Sequence, residues 1–332
     1  MQLQFGCGIA ANYPNDVDIA THKSVILHED FTNFPFSSEL DSTKSALCAF
    51  LFTDRWNSLR IETHGSIDPA EKSLKLTLPA NKDELSLAFW QWLDASVFTD
   101  AKLPQPMGIK TKPGGYDELY LRYYQKFDEN YDCTGSNHCG PNLSARYNKR
   151  PYGQASPGVK SDGYNKMLVS YEFWRGDQND APPGRANFYV YHPLQGGVYG
   201  DHLFPTGQIS VSEGPQSAAM PLSPNFVPRP DFTPERGRWY CYEFCVKLNT
   251  VGENGEIFND GRITAWVDGE ILMDFPNLAL RYTSDLKLDD CIFGLHAKES
   301  SQTNTIWYKG IVLATEYIGP ICGGATQTQT GG

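Results

Sequence analysis

The feature that most constrains the fold of this chain is a series of short segments in which apolar and polar residues alternate. Runs of Gly, Pro, Asn and Asp separate them, and the clearest are ELYLRYYQKF (118–127), NKMLVSYEFW (165–174), RANFYVY (185–191) and WYCYEFCVKL (239–248). A period of two places successive side chains on opposite faces of an extended strand. Many such strands with turn residues between them predict an all-β sandwich or jelly roll with long loops and few short helices.

Four other segments add detail to this prediction. KDELSLAFWQWL (82–93) has apolar residues at helical spacing and is the best candidate for a helix, although an alternating strand also fits it. Asp268-Gly269 lies between two alternating runs and predicts a tight hairpin, because Asp and Gly tolerate the positive φ that such a turn needs. The proline-rich stretches 103–115 and 211–235 cannot continue a sheet ladder and are predicted to be functional loops.

Length and charge limit the class of protein. The 332 residues are interpreted as a single domain, with residues 1–30 as an N-terminal arm and residues 323–332 as a flexible tail. The formal net charge of -11 argues against nucleic acid as a partner, because phosphates would be repelled. No apolar run reaches the roughly 18 residues that span a bilayer, so no membrane insertion is expected. The sequence does not predict the oligomeric state.

The cysteines favour an oxidising compartment. None of the eight forms a C-x-x-C pair, which argues against a zinc knuckle and for disulfides, with buried free thiols as the alternative. Cys133 with Cys139, Cys7 with Cys322, and Cys48 or Cys291 with Cys241 or Cys245 are the open pairings. The predicted localisation is extracellular, with any signal peptide removed or replaced.

The polar faces of the alternating strands suggest a binding surface. If the strands share one sheet, these faces combine aromatic rings, which stack on sugars, with charged groups, which bind hydroxyls. An ordinary exposed sheet face has a similar composition and needs no ligand. The residues predicted to meet on this surface are Arg122, Tyr124, Lys166, Glu172, Asn187, Tyr189, Tyr191 and Glu243.

Four segments together resemble a known family. LYLRYYQKFDENYD, FYVYHP, GRWYCYEFCVKLNTVGENGEIFNDGRITAWVDGEIL and WYKGIVLATEYIGP, within residues 116–320, resemble the polysaccharide lyases that include algal-virus and mollusc alginate lyases, and more closely bacterial secreted relatives of them. The resemblance implies a concanavalin-like jelly roll with a substrate on its concave face. It also implies that a Tyr-x-Tyr strand and a loop lysine serve the chemistry. Tyr189 and Tyr191 match the Tyr-x-Tyr element.

The loop lysine of that family has no counterpart here. The corresponding segment reads TGSNHCGPNLSARYNKR and has no lysine before Lys149. His138, Asn142 or Arg146 is expected to occupy that space.

A lyase that acts on a uronic acid needs a group that neutralises the carboxylate, a base for the C5 proton and an acid for the leaving oxygen. Arg122, or Arg146 with Asn142, is predicted to neutralise. His138 or Tyr191 is the candidate base and Tyr189 the candidate acid, and an arginine would lower the pKa of a tyrosine base. The predicted substrate-binding residues are Tyr124, Asn142, Arg146, Lys166, Glu172, Asn187 and Glu243.

Other functions were weighed on the same residues. The main alternative is a non-catalytic carbohydrate-binding, structural or assembly protein that uses the same face. Glycoside hydrolysis needs two carboxylates, for which Glu172 and Glu243 are the candidates. His192, Asp201 and His202 would be the ligands of a metal, although no metal or cofactor is expected. A structural Ca²⁺ fits this fold, but no Asp-x-Asp-x-Asp loop supports it.

Overall fold

A computed structural model describes residues 8–33, 50–52, 59–63, 72–80, 85–94, 109–146, 158–176, 180–214, 220–299 and 301–323. Three short 3-10 helices, Gly8–Asn12, Pro14–Asp16 and Ile19–Thr21, precede the first strand. None of the described helices is long and apolar enough to cross a bilayer. The seventeen strands of the described residues are β1 (Val25–Glu29), β2 (Phe50–Phe52), β3 (Leu59–Thr63), β4 (Lys72–Leu78), β5 (Leu85–Trp92), β6 (Glu118–Phe127), β7 (Thr134–His138), β8 (Asn142–Arg146), β9 (Lys166–Trp174), β10 (Arg185–Tyr191), β11 (Asp201–Leu203), β12 (Ile209–Ser210), β13 (Tyr240–Lys247), β14 (Gly261–Val267), β15 (Glu270–Leu278), β16 (Leu288–Glu299) and β17 (Asn304–Ala314).

These strands form two antiparallel sheets. Sheet 1 has the order β15-β14-β13-β6-β17-β4-β3, and β1 also pairs with β17. Sheet 2 has the order β12-β11-β10-β9-β8-β16-β5-β2, and β7 also pairs with β16. The predicted all-β, concanavalin-like sandwich is therefore confirmed.

The core lies between the sheets and is rich in aromatic rings. Tyr123 of β6 packs against Tyr242 of β13, with ring centroids 5.7 Å apart, and Tyr171 of β9 meets Tyr242 at 5.5 Å. Phe188 of β10 contacts the ring of Phe244 from the opposite sheet. These are the residues that alternation assigned to the apolar faces, so the division of each strand into two faces is confirmed.

The prediction that all the polar faces meet on one surface is wrong. β6 and β13 pair with each other in sheet 1, whereas β8, β9 and β10 pair in sheet 2. Because both sheets turn their apolar faces inward, their polar faces point to opposite sides of the sandwich. Arg122, Tyr124 and Glu243 are consequently separated from Lys166, Glu172, Asn187 and the two tyrosines of β10.

The outer face of sheet 1 is covered by both ends of the described chain. Ile9 donates its backbone N–H to Tyr317 O at 3.1 Å, and Ile19 packs into a second apolar cluster with Trp266 and Ile318. Within the range predicted as an arm, the described residues before β1 contact this face, whereas β1 itself is a strand of sheet 1. Of the predicted tail, residues from 324 onward lie outside the described residues.

Two local predictions have opposite outcomes. The Asp268-Gly269 turn is confirmed, since both residues have positive φ, 49° and 85°, between β14 and β15. The helix predicted over 82–93 is wrong, because Leu85–Trp92 is a strand that pairs with β16 and β2. The strand alternative was the right one there.

The predicted disulfide between Cys133 and Cys139 is also wrong. Both are buried free thiols, and the extended strand β7 lies between them. Cys241 and Cys245 are buried free thiols as well. Pairing of Cys7 with Cys322 stays a prediction, because Cys7 lies outside the described residues.

Candidate active site

The candidate site lies on the outer face of sheet 2, here called the site face. In the β9–β10 ladder Asn187 is opposite Glu172, and Tyr189 is opposite Ser170. Phe188 and Val190 of β10 are buried in the core cluster, so the alternate residues Asn187, Tyr189 and Tyr191 point to the site face. β11 then brings His202 opposite Tyr189.

His138 and Glu172 form the charged centre of the site face. Nδ1 of His138 lies 2.9 Å from Oε2 and 3.2 Å from Oε1 of Glu172. The Glu172 side chain is completely buried, whereas the His138 side chain is 36% exposed, so the imidazole is the part of the pair that solvent or a ligand reaches. Burial lowers the pKa of His138, but the charge of Glu172 and its hydrogen bond outweigh this and raise it above the ordinary 6.5.

The two tyrosines of β10 form a directed hydrogen-bond chain. The backbone N–H of Gly200 donates to the hydroxyl oxygen of Tyr189 at 3.0 Å, and the Tyr189 hydroxyl donates to that of Tyr191 at 3.3 Å. Burial raises the pKa of both phenols above their ordinary range. Each tyrosine therefore keeps its proton at neutral pH. Tyr189 also lies against the ring of His138, with centroids 4.8 Å apart.

His202 lies on the other side of Tyr189. Its Nδ1 is 2.9 Å from Oδ1 of Asn187, and its ring stacks on Trp174 with centroids 4.0 Å apart and planes at 6°. Burial lowers the pKa of His202 to about 3, and the nearby His138 adds to the effect. His202 is thus a neutral imidazole beside the charged pair.

Lys166 contributes a cation next to the tyrosines. Its Nζ lies 4.1 Å from the centroid of the Tyr191 ring, and burial lowers its pKa to about 8. Arg146 is opposite Lys166 in the β8–β9 ladder, and Asn142 is opposite Ser170. The side chain of Arg146 lies outside what the structure describes. Both predicted residues therefore lie on β8, and of the two only Asn142 has a described side chain.

Three predicted site residues have other roles. Arg122 forms a buried ion pair with Asp16 of the N-terminal arm and donates to Gly319 O. Glu243 accepts the backbone N–H groups of Ile318 and Gly319, each at 2.8 Å.

The third residue, Tyr124, accepts the backbone N–H of Ile321 at 2.8 Å. All three anchor the chain ends on the outer face of sheet 1. The arginine that was expected to lower the pKa of a tyrosine is therefore absent from the described part of the site face, and the pKa of Tyr191 is raised instead.

The topology also conflicts with two alternatives described above, glycoside hydrolysis by Glu172 and Glu243 and a metal site at His192, Asp201 and His202. Glu172 and Glu243 project from opposite sides of the sandwich, so they cannot flank one glycosidic bond. His192 and Asp201 are buried against each other, with Nε2 2.9 Å from Oδ2, while His202 turns to the site face. Among the described residues no three His, Cys, Asp or Glu side chains form a group that could hold a metal ion.

Sequence reasoning missed His202 and Trp174 as parts of the site. β11 has only three residues, which is too short for alternation to be recognised, and His202 was considered only as a metal ligand. Trp174 was assigned to the correct face of β9 but was not included. A signal for His202 was the pairing of β10 with the strand that follows it, because one face of that strand lies beside the tyrosines.

Comparison with known proteins agrees with this fold. No family model and no curated protein matches the chain by sequence. Among solved structures it is similar to a variant of alginate lyase Aly36B in complex with an alginate trisaccharide, at 16% identity over 89% of this chain and 99% of that one, with a TM-score of 0.53. It is also similar to the marine PL-14 alginate lyase from Aplysia kurodai, at 15% identity over 88% and 98%, with a TM-score of 0.54. The chain therefore shares the β-sandwich fold of these two alginate lyases.

Proposed function

We propose that this protein is a lyase that cleaves an acidic polysaccharide by β-elimination. The observation that carries the proposal is the position of the His138–Glu172 pair beside the Tyr189–Tyr191 pair on one face of a sandwich with this fold. The His138–Glu172 pair suits proton removal, and the Tyr189–Tyr191 pair suits proton donation. A uronic-acid polymer supplies both the acidic proton and the leaving oxygen that these groups would serve.

His138 is the base in this proposal. Oxygen atoms of the Glu172 carboxylate accept the hydrogen of Nδ1, so neutral His138 has its lone pair on Nε2. Nε2 removes the proton from C5 of the uronic acid, and the C–H electrons form the double bond between C4 and C5. The bond from C4 to the glycosidic oxygen breaks at the same time. The raised pKa of His138 makes its neutral form a stronger base for this step.

Tyr191 is the acid. A backbone N–H can only donate, so the Gly200 N–H fixes the Tyr189 oxygen as its acceptor and leaves the Tyr189 proton for Tyr191. The proton of Tyr191 is then the one available to the leaving oxygen. This assigns the acid to Tyr191, whereas the sequence favoured Tyr189, which here positions and polarises its neighbour. Transfer from Tyr191 leaves a tyrosinate, which the proton taken by His138 restores through solvent.

Lys166 supports the reaction as the cation beside Tyr191. Its ammonium group offsets the charge of the uronate and of the transient tyrosinate, which lowers the barrier to both proton transfers. The lysine comes from strand β9 and not from the loop that carries a lysine in the family described above. Because uronic-acid polymers are extracellular materials, we also retain an extracellular localisation as part of the proposal.

The test is to incubate the protein with a panel of uronic-acid polymers and to follow the ultraviolet absorbance of the unsaturated product. We expect product from at least one polymer and a loss of roughly a hundredfold or more in kcat for His138→Gln and for Tyr191→Phe. Tyr124→Phe, on the opposite face, is the matched control and should keep its activity. Binding without product from every polymer would contradict the lyase and support the non-catalytic carbohydrate-binding alternative.

A further inference from the structure

We infer that His202 makes the site selective for acidic polysaccharides with a free hydroxyl group next to the cleaved bond, by accepting the hydrogen of that hydroxyl at Nε2. The inference rests on the proposed function, because it concerns the sugar held at the same site. It adds the substitution pattern of the substrate, which neither the fold nor the catalytic pairs determine.

The hydrogen positions on His202 follow from its neighbour Asn187. The Nδ2 group of Asn187 donates to the carbonyl oxygens of Glu172 and Arg185, at 3.3 and 3.1 Å. This fixes the orientation of the amide, so the atom that faces His202 Nδ1 at 2.9 Å is the acceptor Oδ1. Nδ1 must carry a hydrogen to make this bond, and the neutral ring then has its lone pair on Nε2.

The groups around His202 keep the ring neutral. The charge of His138 on β7 lowers the pKa of His202. The carboxylate of Glu172 on β9 lies 3.9 Å from Nδ1 of His202. Tyr189 of β10 contacts the His202 ring and keeps its own proton. Burial dominates among these influences and lowers the pKa to about 3. Nε2 is consequently an acceptor, and not a donor, across the pH range in which polysaccharides are usually cleaved.

The position of the ring leaves Nε2 for a ligand. Asn187 bonds to Nδ1 and Trp174 stacks on the plane of the ring, so these two contacts leave the second ring nitrogen, Nε2, for a ligand. The side chain retains 8% exposure, and no described residue hydrogen-bonds to Nε2. The ring centroids of Tyr189 and His202 are 4.9 Å apart, so this acceptor lies next to the catalytic pairs.

A neutral acceptor at this point discriminates between substituents on the sugar. A hydroxyl group can donate its hydrogen to Nε2. An O-acetyl group presents only acceptor oxygens to the lone pair, and a sulfate adds negative charge close to Glu172. Both modifications would leave a buried acceptor opposite another acceptor, which is the arrangement that hydrogen-bonding sites reject most strongly.

The first experiment uses the unaltered protein and matched polymers. Polymannuronate, polyguluronate, polygalacturonate and glucuronan are each assayed untreated and after chemical O-acetylation. For the polymer that is cleaved, we expect kcat/KM to fall at least about tenfold on acetylation. Equal kcat/KM on both forms would overturn the inference and leave the lyase proposal standing.

Two variants separate the hydrogen bond from simple crowding by the acetyl group. His202→Asn keeps an N–H that can donate to Asn187 but lacks the distal acceptor, whereas His202→Gln places an amide oxygen near the position of Nε2. We expect the Asn variant to raise KM about tenfold on the untreated polymer and to discriminate less against the acetylated one, and the Gln variant to restore part of both. If the Asn variant discriminates between untreated and acetylated polymer as strongly as the unaltered protein does, the role of Nε2 is refuted.

A failure of the proposed function is distinguishable from a failure of this inference. If no polymer yields unsaturated product, the lyase proposal fails, and titration calorimetry measures binding of the same polymer pairs. A preference for the untreated polymer that is lost in His202→Asn then supports the inference. Binding without such a preference, or no binding at all, overturns it.

Discussion

Glu172 controls how His138 titrates, and the proposed base is active only when neutral. Activity should therefore fall as the pH drops through the raised pKa of His138. In Glu172→Gln the negative charge is gone and burial then lowers that pKa, so the acidic limb of kcat/KM should move to lower pH. We expect kcat to fall roughly tenfold to a hundredfold, because the imidazole also loses its orienting partner.

The alkaline limb of the same profile is the internal control. It should follow Lys166, whose pKa is lowered to about 8, and should stay in place in Glu172→Gln. Measuring kcat/KM against pH for both proteins checks this. An acidic limb that does not move would show that His138 is not the titrating base.

The residues of the site differ in how far the sequence predicted them. Alternation placed Tyr189, Tyr191 and Glu172 on the correct face of their strands, because this assignment depends on one strand at a time. Arg122 and Glu243 were assigned correctly to a polar face but to the wrong surface. Alternation determines the face of a strand and contains no information about the sheet that the strand joins.

At the scale of elements, the close contact between β10 and the start of β11 shapes the site. A Cβ on Gly200 would lie 2.6 Å from Val190 O and 3.2 Å from Cε2 of Tyr189. Gly200→Ala should therefore push β11 away and break the hydrogen bond to Tyr189. We expect kcat to fall about tenfold and the unfolding free energy to fall by about 1–3 kcal/mol.

The matched control is Gly323→Ala, because nothing lies within 4 Å of the Cβ it would add. Steady-state kinetics and denaturant unfolding are measured for both variants. If Gly200→Ala behaves like the control in both measurements, the contact does not position Tyr189.

The strand β5 shows why secondary structure was harder to predict than the fold class. Leu85 and Phe89 fit helical spacing together with Trp92, and they fit alternation together with Leu87. Pairing with β16 and β2 decides between them, and those partners are far away in the sequence. The many unambiguous strands, by contrast, were sufficient to predict the sandwich.

At the scale of the whole molecule, Glu243 couples the attachment of the C-terminal segment to pH. Burial raises its pKa from 4.5 to about 7, so between these values the folded state binds more protons than the unfolded state. The contribution of Glu243 to the free energy of unfolding is thus fully present below pH 4.5 and is lost as the pH rises toward 7. The loss is of the order of 3 kcal/mol.

Glu243→Gln should flatten this part of the stability profile, because the neutral amide does not titrate and keeps one oxygen for the N–H groups of Ile318 and Gly319. Denaturant unfolding at several pH values provides the measurement, with the exposed Asp285→Asn as control. A slope as steep as that of the unaltered protein would contradict the assignment to Glu243.

The central position of β17 has a consequence for biosynthesis. Residues 304–314 pair with β1, β4 and β6, so the last strand of the described residues joins three strands made much earlier. Contacts of such long sequence separation slow folding, since a large loop must close before they form. Sheet 1 therefore cannot be completed until residues 304–314 have left the ribosome. The nascent protein exposes unpaired strand edges during that time, and chaperone protection becomes important for its yield.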